Sequence, residues 1–114
     1  MIINGVELQD LDIYDMEVAE KYEKAIEKVK EQCNEVEGKS LSETIKLQCN
    51  SIFNLFNSMF GEGTDKKIFG NKVNLLICIN AFEELILQVN EQKKKLEKIS
   101  NKYSPNRAAR RSKK

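Results

Sequence analysis

The residues best equipped for chemistry in this chain are three cysteines, Cys33, Cys49 and Cys78, because it contains no histidine. A zinc site without histidine needs closely spaced cysteine pairs such as C-x-x-C, and none is present. The count is odd, the spacings are wide, and each thiol falls on an apolar position of a helical pattern. Buried, reduced thiols are therefore expected, as in a reducing cytoplasm. The segment Gly61-Glu62-Gly63-Thr64 is glycine-rich but lacks the Gly-Lys-Ser/Thr ending of a phosphate-binding loop, and it reads as an interhelical loop. The carboxylates fall mostly on wet helical faces, and Tyr14, Tyr22 and Tyr103 show no linked acid–base pattern. The expectation is a protein that is not an enzyme and uses no cofactor or metal.

Three features could bind a partner instead. Phe53, Phe56, Phe60 and Phe69 cluster around the glycine loop, where they form either ordinary core packing or a partly exposed apolar groove. An N-terminal hairpin offers either a lid over the helices or an edge strand open to another chain. The third feature is a basic tail with Arg107, Arg110, Arg111, Lys113 and Lys114. A net charge of +1 hides a strong division: residues 1–92 hold nine Lys/Arg against 17 Asp/Glu, a balance of −8, and residues 93–114 hold ten against one, a balance of +9. Such asymmetry points to an acidic or polyanionic partner, or to the acidic body of a neighbouring copy. Basic tails bind phosphate backbones by counterion release, but this one carries no aromatic past Tyr103, and the acidic body would repel nucleic acid.

The elements that must position these features are mainly helical. A chain of 114 residues is one domain's worth and buries roughly two thirds of its unfolded surface. It has a single proline, Pro105, and five glycines, as long helices require. The first 14 residues read as short strands, with Asn4-Gly5 supplying a type I′ turn between Ile2-Ile3 and Val6, and with Leu8, Leu11 and Ile13 continuing the apolar alternation. Asp15 caps a first helix over about 15–37, stopped by Gly38, with Val18, Tyr22, Ala25, Ile26, Val29, Cys33 and Val36 in one stripe. Ser40 and Glu43 form a capping box for a second helix over about 40–60, ended by Gly61. Thr64 can cap a single turn carrying Ile68 and Phe69. Asn71 starts a third main helix, about 71–102, apolar on nearly every side from Val73 to Val89 and so expected to be the central, most buried one. Its longest apolar stretch, 75–89, is broken by Asn80, Glu83, Glu84 and Gln88 and is too short for a membrane span of ~20 residues. No basic start followed by an apolar run opens the chain, so no signal peptide is expected. The organisation expected is one helical domain over 1–103 and a disordered basic tail over 104–114.

The stretch Tyr103-Ser104-Pro105-Asn106-Arg107-Ala108-Ala109-Arg110-Arg111 resembles the ends of bacteriophage and prophage tail assembly chaperones, which carry a comparable Asn-Arg-Ala-x-Arg-Arg basic tail. The opening Met1-Ile2-Ile3-Asn4-Gly5-Val6-Glu7-Leu8, the Phe60-Gly61-Glu62-Gly63-Thr64 loop and Asn80-Ala81-Phe82-Glu83-Glu84-Leu85 look like an uncharacterised family of phage and prophage proteins, over almost the whole chain. The first resemblance implies a protein of the bacterial host cytoplasm that coats tape-measure protein before the tail tube polymerises around it. A homo-oligomer is compatible with that role. A nucleic-acid-binding accessory protein acting through residues 93–114 is the alternative.

Overall fold

The computed structural model describes residues 1–102, so the basic-tail residues Arg107, Arg110, Arg111, Lys113 and Lys114 lie outside the described residues. Two short strands, β1 (Ile2–Ile3) and β2 (Val6–Glu7), precede α1 (Met16–Cys33), α2 (Leu41–Phe60), α3 (Thr64–Phe69) and α4 (Leu75–Lys102). The mainly helical class with an N-terminal antiparallel hairpin is as the sequence indicates.

The hairpin is built by its turn. Asn4 and Gly5 both take positive φ, 52° and 76°, which a type I′ turn demands and only Asn, Asp or Gly adopt readily. Ile2 pairs with Glu7 and Ile3 with Val6. The ribbon ends there. Residues 8–15 continue as an irregular segment, not a third strand, yet Leu8 and Leu11 are still buried. The hairpin is a lid: Ile3 is fully buried, and Gln88 of α4 donates to the Ile2 carbonyl at 2.8 Å. The Asn4 side chain donates to the Ile68 carbonyl at 3.0 Å, and Tyr14 Oη to the Gln92 carbonyl at 2.8 Å. These bonds tie the N-terminal segment to α3 and along α4.

Helix boundaries follow capping chemistry. The Asp15 carboxylate accepts from the Glu17 amide at 2.9 Å and starts α1. The helix ends at Cys33 and not near residue 37, because its last turn tightens: Asn34 and Glu35 donate to carbonyls three residues back, and Gln48 of α2 caps the Cys33 carbonyl. Ser40 starts α2 as expected, its hydroxyl accepting from the Glu43 amide at 3.2 Å. The Glu43 carboxylate in turn accepts from the Ser40 hydroxyl, in place of the Ser40 amide of a full capping box. Thr64 does not cap α3: Gly63 holds that position, and the Thr64 hydroxyl turns inward to donate to the Gly61 carbonyl at 2.6 Å. The last helix is capped by Asn74 and not Asn71, since Asn74 Oδ1 accepts from the Ile77 amide at 3.1 Å.

One expectation about packing is corrected. The helix buried on most sides is α2, which contributes Cys49, Ser51, Ile52, Leu55, Phe56 and Met59 to the interior. In α4 a single stripe is buried, Cys78, Ala81, Leu85 and Val89, while Leu76 is 68% and Leu87 63% exposed. A helix apolar all round can be covered on all sides only if enough neighbours surround it. Here α1 packs along α2, α4 packs on α2 and on the hairpin, and α1 and α4 scarcely touch.

Candidate partner-binding groove

That missing contact leaves a trough. Its walls are α1, through Val29 and Cys33, and α4, through Leu75, Ile79, Phe82 and Ile86; Ile52 and Gln48 of α2 form the floor. The depression holds about 460 Å³. At Ile86 it meets a second, of about 530 Å³, lined by Tyr22 and Ile26 of α1 and by Asn90 and Lys93 of α4. Cys33 lies near the start of α4 and Tyr22 near its middle, so the two walls run antiparallel.

The sequence positions each wall. On α1 the stripe of steps three and four turns Tyr22, Ala25 and Val29 into the core and leaves Ile26 and Cys33 half-buried beside them. On α4 the stripe Cys78–Ala81–Leu85–Val89 takes the core, and Leu75, Ile79, Phe82 and Ile86 stand about 60–120° around the helix from it. All four are half-buried. The floor residue Ile52 is 2% exposed. Glu23, Glu27 and Glu83 stand exposed on the rim, with Lys30 and Lys93. The arrangement is an apolar channel with a charged margin, the form of a helix-binding groove.

The four phenylalanines singled out in the sequence do come together. Phe56 packs on Phe69 edge-on at 5.9 Å and on Phe60 at 6.1 Å, and Phe53 meets Phe69 at 5.1 Å between ring centroids. They close into the core. Phe56 is fully buried and Phe69 nearly so, while Phe53 and Phe60 are half-buried. The buried rings of Phe56 and Phe69 anchor α3 on α2, while Phe53 and Phe60 keep part of their surface open. The Asn57 side chain completes that anchor by accepting from the Asp65 amide at 3.0 Å.

The thiols behave as core groups. Cys49 and Cys78 are fully buried and lie beside each other across the α2–α4 contact. Burial, reinforced by Cys49, pushes the Cys78 thiol up to about 12, and burial also raises Cys49 and Cys33. A raised thiol is a poor nucleophile at neutral pH. Among the described residues no group of three or more Cys, Asp or Glu side chains is placed to hold a metal ion. Nor, among them, is any helix long and apolar enough to cross a membrane.

The groove residues Ile79, Phe82 and Ile86 were legible as apolar but not as a site. The available signal was arithmetic: a third main helix apolar on every side exceeds what two other long helices can cover. No curated protein and no solved structure matches the chain. A family model described as a family of unknown function (DUF6673) matches residues 4–114, and the chain belongs to that family.

Proposed function

We propose that this chain is a non-enzymatic interaction protein whose trough between α1 and α4 takes up an amphipathic helix of a partner protein. The observation that carries the reading is the open wall of half-buried Leu75, Ile79, Phe82 and Ile86 over the buried floor of Ile52. Three long helices with one gap have the shape of a helical bundle lacking a member, and a fourth helix laid in the gap covers apolar surface from both walls at once. The absence of histidine and the raised thiols argue against nucleophilic or general-base chemistry.

The resemblance of the 103–111 segment to tail assembly chaperones makes a phage tape-measure protein, acting in the bacterial host cytoplasm, the partner to test first. A long tape-measure helix exposes apolar surface that aggregates unless covered, and a groove of this kind covers it. The test is co-expression with a tape-measure fragment. The proposal predicts that the fragment stays soluble with the wild-type chain and precipitates with Ile86→Glu, provided circular dichroism shows the variant folded. Equal precipitation with and without the wild-type chain would sink it.

A further inference from the structure

We propose that the same trough receives a second copy of this chain: the C-terminal overhang of α4, presenting Leu96 and Ile99, seats between α1 and α4 of a neighbouring copy. This rests on the reading of the trough as a helix-docking site and names an occupant for it.

The overhang is the continuation of a core stripe. Cys78, Ala81, Leu85 and Val89 are 0% exposed, and steps of three and four carry the same face on through Gln92 to Leu96 and Ile99. Those two are 50% and 55% exposed. The stripe therefore runs past the last core residue: the N-terminal segment flanks α4 as far as Gln92 and Lys95, and Leu96 and Ile99 lie beyond it. Around it Lys93, Lys94, Lys95 and Lys98 are exposed.

Charge chooses the partner surface. Two overhangs laid side by side would set lysine against lysine, which costs energy. The body of a second copy carries −8 over residues 1–92, and on the trough's rim Glu23, Glu27 and Glu83 outnumber Lys30 and Lys93. Length fits as well. Along α4 the trough runs from Leu75 to Lys93, about 27 Å at 1.5 Å per residue, and the overhang beyond it, Lys94 to Lys102, is about 12 Å. A straight helix cannot fold back on its own wall, so the docking is between copies. Because each copy has both surfaces, reciprocal docking closes a two-fold dimer.

The experiment is sedimentation equilibrium of the full chain and two variants, Leu96→Glu/Ile99→Glu in the overhang and Ile86→Glu in the trough, each checked for folding by circular dichroism. The wild type should dimerise, less tightly as salt rises, and each variant alone should be monomeric. Mixing the two should give a heterodimer, weaker than the wild-type dimer, because an intact trough on one and an intact overhang on the other retain one of the two reciprocal contacts. If Ile86→Glu fails to fold, Ile79→Ala/Ile86→Ala replaces it, with self-association weakened about thirtyfold at each of the two troughs, about a thousandfold in all. A monomeric wild type, an overhang variant that dimerises as tightly as wild type, or a mixture that stays monomeric would each overturn the self-docking. The overhang variant also separates the two readings: its trough is intact, so it should still hold a tape-measure fragment soluble. A monomeric wild type that holds the fragment would sink self-docking alone.

Discussion

Truncating the groove wall should weaken partner binding by an amount the structure sets. Ile79 and Ile86 are half-buried on α4 and face the trough. Fully burying an isoleucine side chain contributes about 1.5–3 kcal/mol, and roughly half of that is already realised in the free chain. Covering the remainder on docking is then worth about 1 kcal/mol per residue, or about fivefold in Kd. The two lie seven residues apart, about 10 Å along the helix, so their effects should add to about 2 kcal/mol, near thirtyfold. Leu85, on the same helix but 0% exposed, supplies the contrast: Leu85→Ala should cost about 2–5 kcal/mol of folding stability. The assay is calorimetric titration of a soluble tape-measure fragment into wild type, Ile79→Ala, Ile86→Ala and the double variant, with urea melts beside it. The reasoning is refuted if the double variant binds as tightly as wild type while remaining folded.

Three further outcomes concern the thiols and one helix cap. Cys33 is the half-buried thiol, so native iodoacetamide labelling read by mass spectrometry should modify it first and reach Cys49 and Cys78 only on unfolding; prompt labelling of all three would contradict the packing. The Cys78 thiol is raised in the folded chain from about 9 to about 12, so the stability this gives is present below pH 9 and is lost as pH rises from 9 towards 12. Urea melts should show a fall of up to about 1.4 kcal/mol per pH unit above 9, and Cys78→Ala should make that slope shallower. Ser40→Ala removes the acceptor for the Glu43 amide and should cost about 1 kcal/mol, seen as a Tm lower by about 4 °C.

Local chemistry was readable from the sequence where a single side chain decides the backbone. Asn4-Gly5, Asp15 and Ser40 each produce the turn or cap their types imply, because positive φ and orphan amides are local problems with local solutions. Where a distant residue intervenes, the boundary departs from the one the local pattern predicts. The end of α1 moved back to Cys33 because Gln48, from another helix, caps it, and the start of α4 moved to Asn74, which satisfies the Ile77 amide. The site was the least legible part. Periodicity shows that Ile79, Phe82 and Ile86 are apolar, but whether an apolar face meets a neighbour or solvent depends on how far apart α1 and α4 are held. That spacing is set by the packing of both helices on α2 and by the hairpin over α4, contacts more than sixty residues apart in places. The phenylalanines show the converse: of the most conspicuous candidates by type, Phe56 and Phe69 are buried where the short helix α3 meets α2.

Site-specific photo-crosslinking tests most directly whether a partner helix lies in the trough between α1 and α4. A benzophenone amino acid placed at Ile79, with the same group at exposed Lys66 as control, would be irradiated in the presence of a co-expressed tape-measure fragment. The account predicts a covalent adduct between the chain and the fragment from position 79 and none from position 66. Adducts from both positions alike, or none from position 79 while the fragment is held soluble, would contradict it.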